Sequence, residues 1–442
     1  MASDNFVVGN RVSTLVRVVS GLVRVVAVVA AGVLATACST SSSEPEARPT
    51  TSAATGTPTP SPPETAMPEP GEQARLDARL ISAAWEDDVE LAARLIERGA
   101  DVNAQDDTQQ SAFLIAASEG FVDLLDLTMT HGADLESKDS YHGTALIRAT
   151  ERGHAAVAGR LVRAGIEVDH VNNLGWTALH ESVILGDGTE RYVDTVRVLV
   201  AAGADVGIPA ANDGLTAGEH AEQMGQTAVA TLLRKTADAE DVRRPAAQER
   251  LRTAATDGDA DAAALMLRSK ADLEARDGHD RTALLLASTY DRVPVARLLV
   301  ALGADPDALD DRHDTPWLVT GVTGSVAMLE ALLPADPDLT VRNRYGGVSV
   351  IPASERGHVD YVRRVVQTDI DVNHVNDLGW TALLEAVILG DGSAPYQQIV
   401  RILLDAGADP AIADGNGVTA LEHARTSGQT EVARILLSPS TP

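Results

Sequence analysis

From residue 74 onward, apolar positions fall in short clusters spaced for helix faces, not in strict alternation. In DGHDRTALLLASTYDRVPVARLLVALGADPDALD (277–310), Leu284, Leu285 and Ala287 share one face, and Val295, Leu298 and Leu299 recur on another. This pattern predicts two short helices. Thr282 opens the first by capping free backbone N–H groups, and Gly303 supplies the left-handed residue that ends the second. A single such pair cannot bury its apolar face alone, so neighbouring pairs must stack.

The pattern repeats. Gly-Ala-Asp stands at 99–101, 132–134, 203–205, 303–305 and 407–409, and Thr-Ala-Leu begins at 144, 177, 282, 381 and 419. Residues 170–188, HVNNLGWTALHESVILGDG, return at 374–392 as HVNDLGWTALLEAVILGDG, with 16 of 19 positions identical at an offset of 204. A period of 33 with these helix starts resembles the ankyrin repeat. The resemblance implies an all-α solenoid of paired antiparallel helices with hairpin-like fingers. Eleven units in two sets are expected. Array 1 (74–235) divides at 74–106, 107–139, 140–172, 173–209 and 210–235, and array 2 (249–437) at 249–277, 278–310, 311–343, 344–376, 377–414 and 415–437. A shift of 204 lays 74–233 on 278–437, as an internal duplication would, and TADAEDVRRPAAQ (236–248) breaks the period as a junction. The GDG at 186–188 and 390–392 begins an insertion in both copies.

The resemblance further implies that finger tips and first helices form a concave surface for a protein partner. Trp176 and Trp380 occupy the variable position between turn glycine and helix-starting threonine; tryptophan is a frequent interface anchor, and the alternative is that each ring lies flat over a neighbouring finger as packing. Glu181 and Glu385 follow on the first helices, either lining the groove or lying on a solvated face. Tyr141 and Tyr345 sit on fingers and join the candidate partner-binding residues. Trp317 and Phe113 replace the leucine of the helix start and belong in the core.

Ahead of the repeats the chain changes character. Arg11, Arg17 and Arg24 precede the uncharged run VVAVVAAGVLATA (25–37), which is too short to span a bilayer at about 20 residues and has the form of a secretory signal. Leu34-Ala35-Thr36-Ala37-Cys38 resembles a bacterial lipobox, although Ala35 stands where leucine is usual. That resemblance implies a signal peptide over 1–37 and acylation of Cys38, the single cysteine of the chain. An uncleaved signal anchor, or an ordinary secretory signal cut nearby, are the alternatives. Residues 38–73, rich in Ser, Thr and Pro, suit a disordered tether, because such a composition cannot offset the entropy of ordering.

The formal charge of −28 repels phosphate backbones and anionic headgroups, so no nucleic acid is expected, and membrane attachment only through the lipid anchor. No cofactor is implied. DGDAD (257–261) lacks the glycine and the terminal glutamate of a calcium loop, with Ala262 and Arg268 in those places, and Asp259 is expected as a helix cap. His154 and His358 match a structural Gly-His turn, and no metal spacing, phosphate-binding loop or nucleophile elbow occurs. The sequence therefore reads as a non-enzymatic, lipid-anchored protein on the extracytoplasmic face of a bacterial cell membrane, mediating protein–protein interaction. The alternative is a chaperone-like factor protecting an envelope enzyme.

Overall fold

The computed structural model describes residues 70–240 and 242–438; the signal segment, Cys38 and nearly all of the tether lie outside them. The first array contains five helix pairs. They are α1 (Pro70–Trp85) and α2 (Val89–Glu97), α3 (Ala112–Glu119) and α4 (Val122–Thr130), α5 (Ala145–Glu151) and α6 (Ala155–Ala164), α7 (Ala178–Ile184) and α8 (Glu190–Ala202), and α9 (Ala217–Gln223) and α10 (Thr227–Ala237). Six pairs make the second. They are α11 (Arg244–Asp257) and α12 (Ala260–Arg268), α13 (Ala283–Thr289) and α14 (Val293–Ala301), α15 (Pro316–Thr323) and α16 (Val326–Leu332), α17 (Val350–Glu355) and α18 (Val359–Val365), α19 (Ala382–Ile388) and α20 (Ala394–Asp405), and α21 (Ala420–Thr426) and α22 (Thr430–Leu437). A 3₁₀ turn, Leu333–Ala335, follows α16. Among the described residues there is no strand, only two isolated bridges. The fold is the expected all-α repeat solenoid.

The helices begin as their sequences dictate. Thr282 accepts the N–H of Leu285 at 3.2 Å and Thr381 that of Leu384 at 3.2 Å, each satisfying an orphan donor worth about 1 kcal/mol. Asp259 caps α12 through the N–H of Ala262 at 2.9 Å. Phe113 and Trp317 are fully buried in the core. A polar ladder, which the sequence reading missed, ties unit to unit. The aspartate N–H of Gly-Ala-Asp donates to a side chain of the preceding unit: Asp134 to Asn103 Oδ1 and Asp409 to Asn373 Oδ1, both at 2.7 Å.

Helix α1 starts at Pro70, inside the span read as tether, while α10 ends at Ala237 and α11 begins at Arg244. The offset of 204 also fails near the end of each array. Pro209 bridges Thr216 whereas Ala413 bridges Thr419, so the offset falls from 204 to 203 across that finger.

The larger finding is how the two arrays meet. From Arg75 onward they belong to one compact unit. Helix α12 packs on α8, and α14 packs on both α8 and α6. Farther along, the Pro334 carbonyl accepts from Arg160 Nη2 of α6 at 2.8 Å. As the second array advances it therefore retreats along the first, joining the two back to back through their second helices. Gly159 in α6 makes room: a Cβ there would stand 2.1 Å from the Ala301 carbonyl oxygen of α14. Polar groups line the seam in pairs. Buried Asp194 meets Arg197 at 2.9 Å and Arg297 of the other array at 3.2 Å, while Arg197 Nε donates to Asp261 at 2.9 Å. Arg268 Nη1 donates to the Ala204 carbonyl at 2.8 Å.

Candidate functional site

The repeated stretch builds the same finger twice, around one asparagine. The backbone N–H of Asn172 donates to the Trp176 carbonyl at 3.0 Å, while its Oδ1 accepts the N–H groups of Leu174 and Trp176, both at 3.0 Å. Gly175 takes φ +79° inside this tight loop, a conformation that an L side chain rarely adopts. Asn376 makes the same three bonds to Leu378 and Trp380, each at 3.0 Å. The remaining amide hydrogens point inward: Asn172 Nδ2 donates to Glu181 at 2.7 Å and Asn376 Nδ2 to Glu385 at 2.8 Å.

Those contacts correct the expectation for the two glutamates. Neither lies on a solvated helix face; Glu181 is 4% exposed and Glu385 is similarly buried. They act as posts beneath the finger, orienting the asparagine that shapes it. Burial, reinforced by Glu151, pushes the Glu181 carboxyl up to about 8, against the opposing pull of Asn172 and Arg148. Burial and Glu355 push Glu385 up to about 7, with Asn376 opposing. One of the three differences between the copies also has a structural reading. His180 Nδ1 accepts the Thr177 N–H at 3.3 Å, where Leu384 leaves Thr381 to cap the helix alone.

Above these posts the finger row is partly apolar. Trp176 and Trp380 are half-buried, and Trp380 packs against the core edge. The rings of Tyr141 and Tyr345 are exposed, and the Arg344 guanidinium stands 4.8 Å from the Tyr345 ring centroid. Each tyrosine belongs to the neighbouring finger, tied to the asparagine finger by backbone bonds: Asn173 N–H to Tyr141 carbonyl at 2.9 Å and Asp377 N–H to Tyr345 carbonyl at 3.0 Å. The sequence reading missed four companions. Val171 and Leu174 in one copy, and Val375 and Leu378 in the other, are exposed; Leu174 reaches 42% and Leu378 56%. Apolar residues at finger positions that need no packing, repeated at an offset of 204, were the available signal.

Other candidates settle into structural duties. His154 and His358 lie against Gly120 and Gly324 of the preceding units, and burial with nearby Arg191 and Arg152 lowers His154 to about 4. Among the described residues no group of His, Cys, Asp or Glu is arranged to hold a metal ion. None of their helices is long and apolar enough to cross a membrane.

The stacked helix pairs and ordered fingers define a repeat solenoid of the protein-binding class. Family comparison names it. The model for ankyrin repeats in three copies matches residues 80–172, 317–414 and 351–441, and that for the single ankyrin repeat matches 174–211 and 279–311. The chain belongs to the ankyrin-repeat family. It is similar to the ankyrin repeat protein YahD of Escherichia coli (strain K12), at 39% identity over 186 residues, covering 42% of this chain and 92% of that one. An ankyrin repeat domain from Acinetobacter baumannii AYE is 46% identical and covers 43% of this chain and 96% of its own, with a TM-score of 0.42. The ankyrin repeat protein EF0377 is 35% identical over 44% of this chain and 98% of its own, also with a TM-score of 0.42. Ankyrin repeats serve protein–protein interaction, and the family is generally non-enzymatic.

Proposed function

We propose that this chain is a lipid-anchored bacterial protein that displays its two ankyrin arrays on the extracytoplasmic face of the cell membrane and binds a protein partner through their fingers. The anchoring half of this reading rests on the lipobox-like segment ending at Cys38 and the Pro- and Ser-rich stretch after it. The binding half rests on one observation. The exposed apolar residues of the finger row, Tyr141, Val171 and Leu174, have identical counterparts in Tyr345, Val375 and Leu378, although no core demands them. Trp176 and Trp380 complete each row, and Glu181 and Glu385 support it from below without meeting the partner.

One purification tests both halves. The full chain, extracted with detergent from membranes of the source cell, is expected to have the mass of a polypeptide beginning at an acylated Cys38. It is also expected to carry a stoichiometric protein that the Trp176→Ala/Trp380→Ala variant loses. An unacylated chain retaining residues 1–37 contradicts the anchor, and a partner held equally by the variant contradicts the finger surface.

A further inference from the structure

The copies have not diverged evenly. Residues 107–139 and 311–343 occupy equivalent units yet share only 7 of 33 positions, against 16 of 19 in the asparagine finger and the helix after it. Burial explains Asn172, Thr177 and Leu179 and their counterparts. It does not explain Val171 and Leu174, or Val375 and Leu378, which face water in both copies. A shared ligand on both faces does.

Charge gives that ligand its character. The four fingers 101–111, 134–144, 167–177 and 205–216 hold 10 acidic residues and 1 basic residue, a net of −9. Their counterparts 305–315, 338–349, 371–381 and 409–419 hold 10 acidic and 3 basic residues, a net of −7. An apolar stripe set in such a field attracts a cation-rich polypeptide and repels anionic lipid or nucleic acid. It also repels a second copy of this chain, which would bring one acidic finger row against another. The seam is built by second helices, and Leu174 and Leu378 stay exposed in the presence of both arrays, so the seam covers neither stripe.

We propose that each chain binds two copies of one ligand class, a basic polypeptide segment with aliphatic or aromatic anchors, one on the Leu174 finger row and one on the Leu378 finger row. This deepens the protein-binding reading above and rests on it.

The test uses a random dodecapeptide phage library panned on the full chain in detergent. The best enriched peptide is then titrated calorimetrically. Enriched peptides are expected to combine Lys or Arg with large apolar residues, to bind at two per chain, and to weaken at least about tenfold between 50 and 500 mM salt, as charge-driven association requires. Leu174→Arg and Leu378→Arg each place a cation on an exposed stripe and are each expected to leave one site, and the double variant none. Peptides lacking cationic residues overturn the ligand class. A single site, lost in one variant alone, overturns the paired faces while leaving protein binding intact. Enrichment of no peptide, or binding untouched by the double variant, overturns the finger reading itself.

Discussion

Equivalent helices of the two arrays meet opposite environments. In α8, the helix that packs on α12 and α14, Val198, Val200 and Ala201 are buried; their counterparts in α20, Ile402, Leu404 and Asp405, are half-buried or exposed. Asp194 of α8 is enclosed by two arginines, whereas Gln398 at the same place in α20 is exposed. Gly159 is buried in α6, and its counterpart in α18 is the exposed Arg363. The difference teaches what a duplicated array must do when it folds back on itself. One copy gives up the solvated outer face of its later repeats, and the side chains there shrink or acquire partners. The asparagine finger, whose Val171 and Leu174 and their counterparts face water in both copies, keeps nearly the same residues.

Exchanging residues at the seam breaks this comparison most sharply. Gly159→Arg drives a large cation into the Ala301 backbone, and overpacking together with a buried unpaired charge is expected to cost at least about 3 kcal/mol. The reciprocal Arg363→Gly removes an exposed helical side chain with its surface ion pair to Asp360 and is expected to cost about 1 kcal/mol, chiefly the difference in helix propensity. Urea midpoints of the two variants would check this. Equal losses would mean that the arrays do not meet at Gly159.

The buried posts sharpen the comparison at a smaller scale. A carboxyl raised in the folded state keeps a proton that the unfolded chain has already released. Stability therefore falls as pH rises from about 4.5, the ordinary value, through about 8 for Glu181 and about 7 for Glu385. Glu181→Gln preserves the acceptor for Asn172 and removes the titration, so the variant is expected to gain roughly 1–3 kcal/mol on wild type between pH 5 and pH 8. Glu385→Gln should show a smaller gain that is complete at lower pH. Parallel urea titrations at the two pH values measure both, and a gain for neither would remove the posts from this role.

Much of the repeat was legible because its signals are local. Threonine caps, left-handed glycines and helix-spaced leucines act within a few residues, so Thr282, Gly303 and Leu299 reveal their parts without a partner in view. Trp317 and Phe113 were legible as core for the same reason. Glu181 was not. Its hydrogen-bond donor Asn172 lies nine residues away, and Glu151, whose charge raises it further, belongs to the preceding unit; a helical pattern displays neither. The fold-back was equally hidden, since Gly159 reads as a weak point in α6 until α14 is seen against it. Leu174 and Leu378 were in plain sight at finger positions, outside the helix spacing that marks core leucines, and their exposure shows what that placement meant.

The double-mutant cycle of Asp194→Ala and Arg297→Ala tests the fold-back most directly, because these residues lie in different arrays and meet only across the seam. The back-to-back packing predicts a coupling of roughly 0.5–2 kcal/mol in urea-denaturation stability, moderated by the Arg197 that also holds Asp194. Additivity within about 0.3 kcal/mol would contradict it and leave the two arrays as independent neighbours on one chain.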